Sequence, residues 1–80
     1  MAEVRLFAVL RELAGAPSVT AEGGSVEEVV QELCDRYGGR FAAVVRVSSV
    51  VVNGERASLE RVLDPGDDVA ILPPVSGGAA

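Results

Sequence analysis

Histidine, lysine and tryptophan are absent from this 80-residue sequence, and cysteine occurs once, at Cys34. Each absence removes a class of function. Without histidine the commonest general base and metal ligand is gone, so a Ser/His or Cys/His nucleophile pair and a zinc site cannot be built. A single cysteine excludes an internal disulfide and fits a reducing compartment. No apolar run approaches the roughly 18 to 20 residues of a membrane span, and Met1-Ala2-Glu3 lacks the basic region of a secretory signal. The expectation is a cytoplasmic protein that spans no membrane. The basic residues are seven arginines scattered from Arg5 to Arg61, against twelve acids and a net charge of −5. That balance argues against a nucleic-acid partner and for steering onto a positively charged protein surface.

Forty-nine per cent of the residues are hydrophobic, enough for one small core and one domain. From Glu3 to Val9 the chain alternates Val4, Leu6 and Ala8 against Glu3, Arg5 and Phe7, which predicts a first strand with one face in the core. Phe7 then falls on the outer face, either as an interface anchor or under the turn that follows. Leu10 to Ala14 reads as a short helix closed by Gly15 and Pro17, and Ser18 to Glu22 as a short second strand.

A longer helix follows Gly23-Gly24. Ser25 is its predicted N-cap, and Glu28 three residues on completes a Ser-x-x-Glu capping box. Val26, Val29, Val30, Leu33 and Tyr37 form one apolar stripe at helical spacing, and Cys34 sits at its edge as a packing residue. Gly38-Gly39 ends the helix. Phe41 to Val52 is rich in β-branched residues and leads into Asn53-Gly54, a hairpin turn whose return strand is Glu55-Arg56-Ala57. Leu59 to Leu63 reads as a brief helical turn. Asp64-Pro65-Gly66-Asp67 has Pro and Gly where a type II turn needs them, and Asp68 to Leu72 is dense enough in apolar residues for a central last strand. A mixed sheet with one main helix packed across it is an α+β layout, and it fits a ubiquitin-like β-grasp domain over residues 1–72. A ferredoxin-like arrangement is less consistent, since one long helix is visible.

The remaining residues, 73–80, form a tail. Pro73-Pro74 stops the strand, and Val75-Ser76-Gly77-Gly78-Ala79-Ala80 is too small and glycine-rich to pack. Composition alone reads this as a frayed terminus. A Gly-Gly pair also suits a thin arm that threads a narrow channel in another protein and presents a carbonyl carbon there.

Four segments together resemble the MoaD family, the small subunits of molybdopterin synthase within the MoaD/ThiS sulfur carriers. They are Val4 to Gly15, the Val52-Asn53-Gly54-Glu55 hairpin, Leu63 to Ala70, and the closing Leu72 to Gly78. The first and last are the specific ones; the middle two occur in many β-grasp proteins. The resemblance implies a carrier with no bound cofactor or metal. A ubiquitin-activating-like adenylyltransferase uses ATP to adenylate the terminal glycine, which becomes a thiocarboxylate. The tail then enters the large subunit of the synthase, where its sulfur goes to a pyranopterin precursor. Carried onto this sequence, Gly78 is the activated residue and Gly77 its slim neighbour. Pro73, Pro74, Val75 and Ser76 are the stalk, and Phe7 marks the docking face.

One departure from the family pattern is plain. Members that act directly end at the second glycine, whereas Ala79 and Ala80 follow Gly78 here, so its carbonyl is held in a peptide bond. Trimming by a processing peptidase, an extension from expression, and a relative that no longer carries sulfur are the three explanations. The alternative functions are a sulfur carrier for cysteine or thiamin biosynthesis, and a β-grasp interaction or modifier module that carries no sulfur.

Overall fold

The centre of the fold is a parallel pair of strands from the two ends of the chain. The structure, a computed structural model, describes residues 2–74. In chain order the elements are β1 (Ala2–Leu6), α1 (Ala8–Ala14), β2 (Ser18–Ala21), α2 (Val26–Tyr37), α3 (Gly39–Arg46), β3 (Ser49–Val52), β4 (Glu55–Arg56) and β5 (Asp68–Leu72). The sheet order is β2-β1-β5-β3-β4, with β1 and β5 parallel and the other pairings antiparallel. This mixed sheet under a helical layer is the expected β-grasp, and β5 is central as its composition predicts.

Alternation fixes the register. Val4 lies beside Val69 and Leu6 beside Ile71, while on the other side of β5 Val52 meets Val69 and Val50 meets Ile71. All six are buried, and they face the helices with Leu10, Val26, Val29, Leu33 and Phe41 in one continuous core. A one-residue slip would turn every one of them to solvent.

The predicted cap of α2 is present in altered form. The Glu28 N–H donates to Ser25 Oγ at 3.2 Å, but the Glu28 carboxylate accepts from the Gly24 N–H, at 2.7 Å, one residue before the expected partner. The remaining N–H groups of the first turn are met by backbone. Val26 donates to the Arg61 carbonyl and Glu27 to the Leu59 carbonyl, both at 2.9 Å. Leu59 to Leu63 bears out its expected turn in its first part only. The segment opens with a turn, in which the Arg61 N–H donates to the Ser58 carbonyl at 3.2 Å, and continues as a strap that bridges Val62 to Ser25 and offers its carbonyls to the helix N-terminus.

Two other boundaries differ from expectation. The first strand stops at Leu6, and Ala8, expected on the core face, is exposed with φ +52 at the start of α1. The turn into α1 begins there because the Phe7 carbonyl accepts from the Leu10 N–H at 3.1 Å, a bond that extended backbone cannot make. The β-branched run after Gly39 is also not all strand. Its first part is α3, with Phe41 and Val45 buried and the Phe41 ring 5.1 Å from that of Tyr37. Gly38 makes the break between α2 and α3 at φ +95, a conformation that side chains resist. The Asp64–Asp67 turn has its expected form, with Gly66 at φ +91 and the Asp67 N–H donating to the Asp64 carbonyl at 3.1 Å. No helix among the described residues is long and apolar enough to cross a membrane.

Candidate functional site

Since β5 is held by β1 on one side and β3 on the other, the place where the chain leaves the sheet is fixed by two ladders. The last paired residue is Leu72, opposite Ser49, and Pro73 follows half-buried with Pro74 exposed. Of the candidate site residues, Phe7, Pro73 and Pro74 are within the described structure. Val75, Ser76, Gly77 and Gly78 lie outside the described residues, as do Ala79 and Ala80.

The sheet brings Phe7 to the root of the tail. Parallel pairing ends at Leu6 beside Ile71, so the next residues, Phe7 and Leu72, lie at the same end of the sheet. Phe7 is 37% exposed and Leu72 38%. The turn that follows leaves Phe7 partly exposed. Two residues that sequence reasoning did not single out join them. Val9 lies on the first turn of α1, and Val47 just precedes β3, whose antiparallel register runs it back toward Pro74. Phe7, Val9, Val47 and Leu72 are four of the six large hydrophobic side chains left exposed among the described residues. Chain proximity and strand register put all four at the end of the sheet where β5 exits, an apolar collar by position, where scattered single exposures would need no explanation. The signal for Val47 was its place directly after a helical apolar period, which a strand reading concealed.

On the sheet face away from the helices, the collar continues into a small apolar strip. Ala70 is 5% exposed, with Val51 and Arg5 as its cross-strand neighbours. Charged side chains frame the strip. Arg5 makes a two-pronged ion pair with Asp68, at 2.7 and 3.1 Å, and Arg56 Nη2 donates to Ser49 Oγ at 3.0 Å. An apolar centre with a polar rim has the composition of a protein-binding surface.

Among the described residues two titratable side chains are shifted, Asp67 and Cys34. The backbone N–H of Asp64 and the side chain of Asn53 both donate to the Asp67 carboxylate and hold it below the usual range. Burial, then Asp35, pushes the Cys34 thiol up, with Arg46 opposing, which keeps it neutral and unreactive. Among the described residues no three His, Cys, Asp or Glu side chains gather as metal ligands. The chemistry this surface can perform is recognition and presentation of the segment that follows β5.

Comparison with known proteins is consistent with that geometry. The ThiS family model matches residues 4–78, a span that includes both glycines of the tail. The molybdopterin synthase sulfur carrier subunit of Phaeosphaeria nodorum is 41% identical over 59 residues, 64% of this chain, and the match spans 62% of that relative's length. The subunit of the same name from Escherichia coli is 35% identical over 82 residues, covering 98% of this chain and 100% of its own. Among solved structures, small archaeal modifier protein 1 from Methanosarcina acetivorans superposes with a TM-score of 0.84 at 32% identity, covering 96% of this chain and 95% of that one. On the extent of the family match, this chain belongs to the ThiS family.

Proposed function

We propose that the chain is a sulfur carrier of molybdopterin synthesis whose reactive group is the carboxyl of Gly78 after Ala79 and Ala80 are removed. The observation that carries the reading is the apolar collar of Phe7, Val9, Val47 and Leu72 at the exit of β5. It gives a partner enzyme a surface to hold while the Gly77-Gly78 segment reaches the partner's active site. Relatives named as molybdopterin synthase sulfur carrier subunits support the choice of pathway.

In this account the chain supplies position and its partners supply the chemistry. An adenylyltransferase attaches AMP from ATP to the Gly78 carboxylate, expelling pyrophosphate. A sulfur donor then displaces AMP to leave a thiocarboxylate. The large subunit of the synthase receives the arm, and the sulfur passes to the pyranopterin precursor. Gly77 and Gly78 suit this work because a Cβ at either would widen an arm that must thread a narrow channel. A carrier of this kind needs no base or metal of its own, since its partners hold them.

The test is adenylation in vitro by the cognate activating enzyme, read as pyrophosphate release. The chain truncated after Gly78 is expected to react, the full chain not to react, and Gly78→Ala in the truncated form to be impaired. Equal rates for the truncated chain and its Gly78→Ala variant would overturn the reading. The likeness to the Methanosarcina acetivorans protein favours one other function, a modifier joined to other proteins. Its mark would be the Gly78 carbonyl in an amide bond to a lysine Nζ of another chain.

A further inference from the structure

Asn53 is the only asparagine in the chain, and Gly54 follows it. This pair carries a chemistry of its own. The nitrogen of a glycine, unshielded by a side chain, can attack the carboxamide carbon of the asparagine before it. In that step the bond from Gly54 N to Asn53 Cγ forms and the Cγ–Nδ2 bond breaks. Nδ2 takes up the proton that Gly54 gives up and leaves as ammonia, and the ring left behind is a succinimide. Water opens the ring at either carbonyl to give aspartate or isoaspartate. Nothing is oxidised or reduced, and no catalyst is required. The one other side-chain carboxamide, Gln31, lies within α2 and precedes Glu32, whose side chain shields the next nitrogen.

The fold holds Asn53 at three points. Its N–H donates to the Asp68 carbonyl at 2.8 Å, its Oδ1 accepts from the Asp68 N–H at 2.9 Å, and its Nδ2 donates to Asp67 Oδ1 at 3.0 Å. These bonds carry the β3–β5 ladder one position past Val52 and Val69. With both ends of the carboxamide held, it cannot turn onto the Gly54 nitrogen, and ring closure needs a local opening that gives up both side-chain bonds. Asp67 suits its part, because the Asp64 N–H and Asn53 keep its carboxyl ionised and a strong acceptor. Asn53 and Gly54 are both exposed, so water reaches the turn.

Modification would reverse the contact. A carboxylate at residue 53 has no N–H to give Asp67, and two like charges would meet where a hydrogen bond now stands. Isoaspartate also adds a backbone carbon to a two-residue turn whose length sets the hairpin register. We propose that Asn53 is a deamidation site latched by Asp67 and Asp68, and that its conversion unfastens the β3–β4 turn from the start of β5. The latch lies at the end of the sheet away from the exit of β5 and does not depend on the carrier reading.

The full chain and the peptide Val50 to Ala57, incubated alike at neutral pH below the unfolding transition, test it. Conversion is read by mass spectrometry as exchange of NH for O at residue 53, and isoaspartate by methyl transfer from an isoaspartyl methyltransferase. The peptide is expected to convert roughly tenfold or more faster than the folded chain, the factor set by two hydrogen bonds of ordinary net strength that must open first. Asp67→Ala, its fold checked by the amide spectrum, should move the chain's rate several-fold toward that of the peptide. Ser25→Ala, which loosens the distant cap of α2, should leave it unchanged. Asn53→Asp, which carries the product's charge, should unfold a few degrees below the parent at neutral pH, with the gap narrowing in acid. Equal rates in peptide and folded chain, no conversion of the peptide, an unchanged rate in Asp67→Ala, equal acceleration by Ser25→Ala, or an Asn53→Asp chain as stable as the parent would each overturn the proposal.

Discussion

Asn53 joins two turns through one side chain. Its Oδ1 accepts from the Asp68 N–H at 2.9 Å, and its Nδ2 donates to Asp67 Oδ1 at 3.0 Å. Its own φ of +53 suits the two-residue hairpin, in a region that asparagine tolerates better than most residues. Asp67 therefore has a lower pKa in the folded chain than the ordinary 3.8, first through the Asp64 N–H and then through Asn53. The sign follows from linkage: this contribution is complete above the ordinary carboxylate range and is lost as pH falls through the lower folded value. Asp67→Asn should flatten that part of the acid limb of a stability-against-pH curve measured by denaturant titration, and an unchanged limb would remove Asp67 from the account. Ala8 is a contrasting case, a residue with a Cβ held at φ +52 and exposed to solvent. Left-handed backbone costs an L-residue roughly 1–2 kcal/mol, partly offset by the entropy of glycine in the unfolded chain. Ala8→Gly should therefore stabilise by about 0.5–1 kcal/mol, a rise of a few degrees in Tm.

Among the elements, α2 shows how local and distant sequence share the work. Ser25 caps it as the Ser-x-x-Glu spacing predicts, and Ser25→Ala should cost about 1 kcal/mol, read as a drop of roughly 4–8 °C in Tm. The carbonyls of Leu59 and Arg61 that complete the cap come from more than thirty residues on, and no local pattern announces them. That is why Leu59 to Leu63 reads as a brief helical turn in sequence, whereas in the fold the turn at its start gives way to a strap. The third helix was legible in part. Phe41, Val44 and Val45 stand at i, i+3 and i+4, but two of the residues between Phe41 and Val47 are valine, whose β preference points the other way. Burial of Phe41 beside Tyr37 decides the contest. The central strand, the Asn-Gly hairpin and the Asp-Pro-Gly-Asp turn were legible because turn chemistry and alternation are local properties. Of the candidate site, Phe7 could be placed by alternation alone. The collar could not, since Val9 and Val47 fall at the same end as Leu72 only once the strand order is known.

For the whole molecule, the core among the described residues runs from Ala2 to Ile71. Deletion of Gly77 and Gly78 should leave the thermal unfolding midpoint within about a degree of the parent, because terminal glycines carry no side chain to bury. A large fall would show that those residues belong to the fold. The acidic surface should make encounter with a cationic partner slow down as salt is raised, since screening shortens the reach of its field. What the account asks of the molecule is a rigid β-grasp base that presents Gly78 as a sulfur-bearing terminus. The most direct measurement is the intact mass of the protein recovered from its native host during active cofactor synthesis. The account predicts a species ending at Gly78 with one terminal oxygen replaced by sulfur. Recovery solely of chains ending in a carboxylate at Ala80 would contradict it.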